Sequence, residues 1–282
     1  MSPGGALLCQ AKPLPEEPSY AILSSMQRKH KPIQPTPRLR PGLIVPDVHR
    51  PFHDQRAWDL MLQVGRSLRP VILIIMGDFL DCFCISTHDK DPTRWTQFSH
   101  ELDDARRGLD ELDGLGATQK VFIAGNHSDR LRRYLTNKAP ELYGLVDIPG
   151  LLGLKDRGWS YVPYKKHTSI GKLNLTHDVG NTGRYAVFKA LDMYQHSIVT
   201  GHSHRLSYVV EGNALGEQKL SAQFGWLGDV STIDYMSEAK AKKDWALGFG
   251  VGYFDPTSGF AYLTPVPIVS YSCVVNGELF RA

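Results

Sequence analysis

Short apolar segments alternate with longer amphipathic segments between residues 42 and 125, and this alternation limits how the chain can fold more than any other feature. The apolar segments are GLIVP, VILIIM and VFIA, and DQRAWDLMLQVGRSLR and SHELDDARRGLDELDGL lie between them. In the second amphipathic segment, apolar residues recur every three or four positions, as a helix with one buried face requires. The order strand, helix, strand, helix, strand predicts an α/β fold with functional residues in the loops after the strands.

The second half of the chain contains more strand segments than helical ones. From about residue 158 only TGRYAVFKALDMYQ and DYMSEAKAKKDW favour helices. The predicted strands are WSYVPY, KLNLTHD, SIVTGHSH, LSYVVEG, GFGVGYFD and FAYLTPVPIVSYSCVV. No internal repeat or linker interrupts residues 41–282, so we expect one domain over that range.

The first 40 residues differ from the rest in charge and in proline content. They contain six basic and two acidic side chains, whereas the whole chain has a net charge of only +3. Proline in AKPLPEEPSY and KPIQPTPRLRPG indicates an extended arm outside the core. Residues 1–40 are therefore predicted to form a basic, proline-rich arm, which either approaches phosphate groups electrostatically or is a solvated leader without a partner.

Composition favours a soluble, cytoplasmic protein that does not bind a membrane. The longest strongly apolar run, VILIIM, is far shorter than the roughly 20 residues of a membrane-spanning helix. The first residues do not resemble a signal peptide. Four cysteines do not make a disulfide framework in a chain of 282 residues, and the pair Cys82 and Cys84 has no second pair with which to close a zinc site. We therefore expect reduced, buried thiols.

Polar clusters with metal-binding side chains follow five of the predicted strands. They supply Asp, Asn and His, which are the oxygen and nitrogen donors that Mn²⁺, Fe and Zn²⁺ prefer. The clusters are Asp47-Val48-His49, Gly77-Asp78-Phe79-Leu80-Asp81, Gly125-Asn126-His127-Ser128-Asp129, His177-Asp178 and Gly201-His202-Ser203-His204.

The order D-x-H, G-D-x-x-D, G-N-H, a lone histidine after a strand, and G-H-x-H resembles the calcineurin-like metallophosphoesterase superfamily over about residues 42–205. The resemblance implies a four-layer αββα sandwich, in which two mixed β-sheets pack face to face between outer helices. It also implies a dinuclear metal site at the carboxyl ends of the strands, where a metal-bridging hydroxide attacks the phosphorus of a phosphate ester.

Residue by residue, the resemblance implies two sets of ligands that share Asp78. One set consists of Asp47, His49, Asp78 and His204, and the other of Asp78, Asn126, His177 and His202. The H-x-H motif would then send one imidazole to each ion. The two ions would be divalent transition metals, Mn²⁺ in the first place, with Fe or Zn²⁺ as alternatives.

The resemblance also implies an acid–base pair. His127 corresponds to the general acid that faces the leaving group, and Asp81 to the carboxylate that orients this histidine. An alternative for Asp81 is the N-cap of a helix.

Some positions depart from branches of the superfamily. An acidic residue commonly follows G-N-H directly, whereas here Ser128 intervenes before Asp129. Cys82-Phe83 replaces the Arg-Gly of phosphoprotein phosphatases, and Asp81 stands where purple acid phosphatases have a metal-bound tyrosine, so both branches are disfavoured. The segments DVHRPFHDQRAW, GNHSDRLRRYL and WALGFGVGYFD resemble metallophosphoesterases encoded by phages.

Basic and aromatic residues near the clusters bear on the substrate. Arg50, Arg130 and Arg184 are candidates for binding phosphate oxygens, because arginine pairs with them bidentately. Arg132 and Arg133 are predicted to lie on a helix, where a solvated face is the simpler interpretation. The aromatic residues of the segment 205–245 either stack on a base or belong to the core.

The preferred hypothesis is a phosphodiesterase that acts on nucleotides or nucleic acid. A phosphomonoesterase acting on small molecules or nucleic-acid ends is the alternative. A metal-binding scaffold without catalysis is disfavoured, because a degenerate site would have lost some of the candidate ligands or His127.

Overall fold

A computed structural model describes residues 38–88, 90, 92, 96–233 and 237–282, together with Met1. The predicted arm, residues 1–40, therefore lies almost entirely outside the described residues. From Arg38 onward the described residues belong to one compact unit.

The first large sheet has six strands in the order β11-β10-β1-β2-β3-β4. Strands β1 to β4 run parallel to one another, whereas β10 is antiparallel to β1 and β11 is antiparallel to β10. The sheet is therefore mixed. Its strands are β1 (Arg40–Val45), β2 (Ile72–Ile75), β3 (Gln119–Ile123), β4 (Trp159–Val162), β10 (Gly248–Phe254) and β11 (Ala261–Pro267).

The second large sheet has five strands in the order β5-β6-β7-β9-β8. Strands β6, β7 and β9 are parallel, and the two outer strands run antiparallel to their neighbours. The strands are β5 (Thr168–Ile170), β6 (Leu173–Thr176), β7 (Ile198–Thr200), β8 (Leu206–Gly212) and β9 (Gln218–Phe224). A separate hairpin pairs β12 (Ser272–Val275) with β13 (Glu278–Arg281).

Six α-helices accompany the sheets in the part of the chain that the structure describes. They are α1 (Gln55–Leu68), α2 (Phe98–Asp113), α3 (Asp129–Lys138), α4 (Ile148–Leu151), α5 (Ala186–Tyr194) and α6 (Glu238–Asp244), and the 3₁₀ turns are Phe83–Ile85, Pro140–Leu142 and Val230–Thr232. Helix α1 begins where Asp54 accepts a hydrogen bond from the amide of Ala57, as an N-cap does. In α2 the predicted apolar positions Leu102, Ala105, Leu109 and Leu112 are all buried.

Alternating side chains of the first sheet divide the core into two layers. Leu43 and Val45 of β1 pack into the cluster that contains the inner faces of α1 and α2. Ile44 points the opposite way, into a cluster with Leu175 and Val199 of the second sheet. Because successive side chains of a strand point to opposite faces, this pattern places the two sheets face to face.

Helix α5 completes the arrangement, since it lies against β7 and β9 and buries Val187, Ala190 and Leu191. The predicted four-layer αββα sandwich with two mixed sheets is confirmed. Within the described part of the chain, no helix combines the length and the apolar character that crossing a membrane requires.

Candidate metal centre

The five polar clusters converge at one end of the sandwich. Strands β1, β2 and β3 of the first sheet and β6 and β7 of the second all end there, and the loops that follow them bond to one another. The amide of His49 donates to the carbonyl of Asp78 at 2.8 Å, and the amide of Gly201 donates to the carbonyl of His177 at 2.8 Å. The amide of His202 also donates to Oδ2 of Asp47 at 2.8 Å, so hydrogen bonds within and between the two sheets hold the candidate ligands in one place.

The first group of candidate ligands comprises Asp47, His49 and His204, whose donor atoms all lie within 4.8 Å of one another. Nε2 of His49 lies 3.0 Å from Nε2 of His204. Nε2 of His204 lies 3.1 Å from Oδ2 of Asp47. All three residues are buried, so nitrogen and oxygen donors point at the same small volume.

The second group contains Asp78, His177 and His202, again within 4.8 Å of one another. Nε2 of His177 lies 3.2 Å from Oδ2 of Asp78 and 3.0 Å from Oδ1 of Asn126. Nδ1 of His177 lies 2.9 Å from the carbonyl oxygen of Met76, and a hydrogen bond donated to this oxygen leaves Nε2 directed at the group. Asp78 also belongs to a third group, with His49 and His127, and so lies between the two sets of ligands.

The spacing of these donors fits metal ions. Two ligands at right angles on an ion with bonds of ~2.1 Å lie about 3.0 Å apart. Four contacts among the candidate ligands, between 3.0 and 3.2 Å, have this spacing. In addition, Oδ1 of Asp47 and Nδ1 of His204 are buried without a hydrogen-bond partner among the described residues. The side chains that are present therefore fit a pair of metal ions.

Burial keeps three of the four candidate histidine ligands in the neutral state that can bind a cation. Burial lowers the pKa of His204 to about 3, and burial also lowers the pKa of His49 and of His202. These rings are neutral at physiological pH, as ligation requires. His177 differs, because the carboxylates of Asp78 and Asp47 overcome the effect of burial and raise its pKa to about 10.

The backbone of the loops is held in an unusual conformation. Four of the candidate ligands have a positive φ, namely His49 at 58°, Asp78 at 40°, His202 at 65° and His204 at 56°. Non-glycine residues rarely adopt this left-handed region, and they cluster at functional sites when they do. Gly125 is needed before Asn126 for a steric reason: a Cβ atom at this position would collide with the carboxylate of Asp78.

Asp81 contacts both His127 and His49. Its Oδ2 lies 3.1 Å from Nδ1 of His127 and 3.1 Å from Nδ1 of His49. These two histidines lower the pKa of Asp81 although its burial opposes this, so the carboxylate is ionised. Asp78 and Asp81 in turn raise the pKa of His127 against the effect of burial. Asp81 thus orients His127 and one candidate ligand at the same time, and it caps none of the six helices.

The three arginines predicted to bind phosphate lie in different settings. Arg130 reaches the centre, where Nη1 lies 2.9 Å from Oδ1 of Asp81 and Nη2 lies 3.2 Å from Nε2 of His127. Arg184 is exposed in the turn before α5. The interpretation of Arg50 is corrected: its buried guanidinium pairs with Asp104 at 3.1 Å and Glu111 at 3.3 Å, so it ties the loop to α2 and does not face the centre.

Two tryptophans of the segment 205–245 pack on a candidate metal ligand. The ring of Trp226 stacks on His204 at 5.0 Å with an interplanar angle of 10°, and Trp245 packs edgewise on His204 at 4.3 Å. Phe224 and Trp226 are buried. Phe224 therefore belongs to the core, and the buried Trp226 supports a candidate ligand.

Two supporting contacts had no signal in the sequence. Gln223 of β9 accepts a hydrogen bond from Ser203 Oγ at 2.9 Å and donates to Thr200 Oγ1 at 2.9 Å, which anchors the H-x-H loop. Tyr164 donates to Asp178 at 2.6 Å, directly beside His177. Each pair is joined only by the fold, because its members lie 14 to 23 residues apart in sequence.

Solved structures of similar fold are low in sequence identity. Vps29 from Cryptosporidium parvum is 13% identical, with 86% of this chain and 95% of that chain covered and a TM-score of 0.45. Wild-type Vps29 complexed with zinc from Entamoeba histolytica is 13% identical, with coverages of 85% and 95% and a TM-score of 0.40. The phosphoesterase YfcE from E. coli is 12% identical, with coverages of 80% and 98% and a TM-score of 0.37.

No curated protein matches the chain. Residues 42–247 match the family described as calcineurin-like phosphoesterase, and this chain belongs to that family.

Proposed function

We propose that the protein is a metal-dependent hydrolase of phosphate esters. Two divalent transition-metal ions would be held by Asp47, His49, Asp78, Asn126, His177, His202 and His204. The ~3 Å spacing of their donor atoms supports this assignment, and the absence of sulfur from the set suits Mn²⁺, Fe or Zn²⁺, with Mn²⁺ as our first choice. When bound, such a pair of ions activates water and neutralises charge on the phosphate.

The observation that carries the catalytic part of the proposal is the pairing of His127 with Asp81. Nδ1 of His127 contacts Asp81 at 3.1 Å, so Nε2 faces the centre, where it lies 3.9 Å from Oδ2 of Asp78. In the hydrolysis, the oxygen of water bonds to phosphorus and the bond from phosphorus to the leaving oxygen breaks. His127 gives the proton on Nε2 to that leaving oxygen, as a general acid.

Arg130 has to move when His127 acts as an acid. In the structure Nη2 of Arg130 lies 3.2 Å from Nε2 of His127, and arginine can only donate there. A proton on Nε2 and this contact exclude each other, since both groups would be donors. An oxygen of the bound phosphate is the acceptor to which Arg130 would turn, which keeps Arg130 as a substrate-binding residue.

Diesters and monoesters differ in the negative charge that the centre would have to bind. A phosphodiester carries one negative charge, whereas a monoester loses a second proton with a pKa of about 6 and approaches two charges at pH 7. The cation of Arg130 is already matched by the carboxylate of Asp81 at 2.9 Å. The two metal ions of the proposed centre would supply positive charge for either ester. We propose a phosphodiesterase that acts on nucleotides or nucleic acid, and the alternative is a phosphomonoesterase.

The test is hydrolysis by metal-stripped protein, with and without added Mn²⁺. Bis-p-nitrophenyl phosphate and p-nitrophenyl phosphate form a matched pair that shares one leaving group. We expect cleavage of the diester that depends on Mn²⁺ and exceeds cleavage of the monoester.

Faster hydrolysis of the monoester would reject the phosphodiesterase and favour the alternative, a phosphomonoesterase. Metal binding without hydrolysis of either compound would leave a metal-binding scaffold and reject the catalytic proposal.

A further inference from the structure

Helix α3 extends away from the candidate centre on the side of His127. It begins at Asp129, two residues after His127, and its residue Arg130 contacts both His127 and Asp81. Because His127 is the residue that faces the leaving group in the proposed function, the helix lies on the leaving-group side of the scissile bond. The part of the substrate beyond the scissile bond would therefore lie next to α3.

One side of α3 carries basic and aromatic residues. At 3.6 residues per turn, Arg130, Arg133, Tyr134 and Lys138 share a side of the helix. Leu131 and Leu135 form its buried face. We call the four residues Arg130, Arg133, Tyr134 and Lys138 the α3 strip. The side chain of Arg130 is only 12% exposed, at the end of the strip beside the centre. The other three residues face solvent, since Tyr134 is 43% exposed, the side chain of Arg133 is 50% exposed and Lys138 is exposed.

The α3 strip is in direct contact with the candidate centre. Arg133 donates from Nη2 to the carbonyl oxygen of Asn126 at 3.1 Å. Asn126 is itself one of the candidate ligands. Tyr134 follows Arg130 by one turn, and Lys138 follows Tyr134 by another. The distance from Arg130 to Lys138 is about 12 Å at 1.5 Å per residue, which is roughly three to four nucleotides at the ~3.4 Å rise of a stacked strand.

The charge of the helix is complementary to a polyanion. Its ten residues contain four basic side chains and one acidic side chain, Asp129. Asp129 bonds to Arg132 at 2.6 Å, and Arg132 lies on the other flank of the helix. Arg133 also lies 3.4 Å from Asp129, which leaves its exposed guanidinium shared between that carboxylate and Asn126.

We propose that the α3 strip binds the leaving-group side of a single-stranded nucleic acid. Tyr134 stacks on a base, while Arg133 and Lys138 lie beside phosphates of the same strand. An alternation of cations with an exposed aromatic ring fits a strand in which phosphates alternate with flat bases. This inference rests on the proposed function for the direction of the strand, and it adds a nucleic-acid subsite outside the centre.

The first experiment measures binding, independently of turnover. Fluorescence anisotropy with a labelled 12-nucleotide single-stranded DNA compares the full chain with Tyr134→Ala and Tyr134→Phe. We expect Tyr134→Ala to weaken binding about 5- to 150-fold, the range of one base stacked on an aromatic ring. Tyr134→Phe retains the ring and is expected to restore binding to within about twofold. Equal binding by Tyr134→Ala and the unmodified chain would overturn the proposal.

Two control variants match the changed residues in kind. Tyr208→Ala removes another exposed tyrosine, on β8, with 42% exposure. Arg132→Ala removes a basic residue of the same helix, on the opposite flank. Both are expected to bind the DNA as the unmodified chain does. A loss with Tyr208→Ala as large as that with Tyr134→Ala would also reject the subsite.

Turnover separates this inference from the proposed function. With Mn²⁺, the ratio of kcat/KM on the oligonucleotide to kcat/KM on bis-p-nitrophenyl phosphate is expected to fall at least fivefold in Tyr134→Ala, because only the longer substrate reaches the strip. An unchanged ratio would reject the α3 strip even if the unmodified enzyme is a diesterase. If the unmodified chain hydrolyses neither substrate, the proposed function fails, and the anisotropy result still decides whether the strip binds DNA.

Discussion

Nδ1 of His127 lies 3.1 Å from Oδ2 of Asp81, in an orientation that presents the other ring nitrogen to the candidate centre. The same carboxylate oxygen also contacts His49, and its partner oxygen contacts Arg130. The acid of the proposed reaction and one candidate metal ligand are therefore aligned by a single side chain. Substitution of Asp81 should therefore affect metal binding and turnover, whereas substitution of His127 should affect turnover alone.

His127→Ala is expected to leave metal binding intact and to slow hydrolysis of poor leaving groups. A general acid contributes typically 10²- to 10⁴-fold, mostly where the leaving oxygen needs a proton. Loss of kcat/KM should therefore be large on alkyl or nucleoside diesters and small on p-nitrophenyl diesters. Kinetics on both substrates, with the metal content measured on the same sample, test this. Equal losses on the two substrates would count against the acid role.

Asp81→Asn is expected to impair metal binding as well as turnover. The carboxylate holds His49 through Nδ1, and the loss of such a supporting contact typically costs 10- to 100-fold in metal affinity or activity. Titration of the metal-free variant with Mn²⁺, beside His127→Ala, makes the comparison. An unchanged affinity in Asp81→Asn would show that His49 does not depend on this contact.

Asp78→Ala is expected to abolish both metal binding and turnover. Asp78 is 1% exposed and lies between the two groups of candidate ligands, so its removal affects both. Asp103→Ala, a change to a carboxylate on α2 whose side chain is 57% exposed, serves as the control and should behave as the unmodified protein. Turnover that survives in folded Asp78→Ala would reject the assigned centre.

Metal uptake is expected to release one proton per chain from His177 at pH 7 to 8, in addition to the proton that the activated water loses. In the metal-free protein the carboxylates of Asp78 and Asp47 outweigh burial and raise the pKa of His177 to about 10, so His177 is protonated until a cation displaces the proton.

Metal affinity should therefore fall about tenfold for each pH unit below 10, and more steeply below about 6, where burial raises the pKa of Asp47. Calorimetry in two buffers of different ionisation enthalpy measures the proton count. An affinity that does not vary between pH 7 and 9 would contradict the protonated state of His177.

Arg50→Met is expected to destabilise the fold by about 2–3 kcal/mol. The Arg50 side chain is 3% exposed, and its removal leaves the carboxylates of Asp104 and Glu111 without their cation. Breaking a buried pair costs about 3–5 kcal/mol, and the partial exposure of the two carboxylates reduces this. Urea unfolding measures the change.

Arg132→Met is the control for Arg50→Met. The side chain of Arg132 is 56% exposed, so its pair with Asp129 should contribute less than about 1 kcal/mol. A stable Arg50→Met protein with a strongly raised KM would instead restore Arg50 as a phosphate-binding residue.

The convergence of the five loops was predictable from the sequence for a simple reason. A polar residue directly after a buried strand stays at the end of that strand, and parallel strands end at the same edge of a sheet. Asp47, Asp78 and Asn126 follow neighbouring parallel strands, so strand order alone brings them together. The apolar spacing of α2 was equally readable, because Leu102, Leu109 and Leu112 face the core in a single helix.

Side-chain direction was not predictable in the same way. Arg50 follows the first cluster by one residue, yet its long side chain turns to α2, and nothing local to the sequence identifies Asp104 as its partner. Glu101 is another example. It occupies the first turn of a helix, where exposure is the ordinary expectation, but it is fully buried and accepts hydrogen bonds from the amides of Phe83 and Cys84. Contacts of this kind depend on how separate elements pack.

The stacking of Trp226 on His204 gives the protein its own optical reporter. Indole emission responds to charge within a few ångströms, and the two rings lie 5.0 Å apart with Trp245 beside them. An open-shell ion such as Mn²⁺ coordinated by His204 should quench the part of the fluorescence that comes from Trp226 and Trp245, whereas occupation of the His177 side alone should affect it less. Stepwise titration could therefore resolve the filling of the two positions without a label or a substrate.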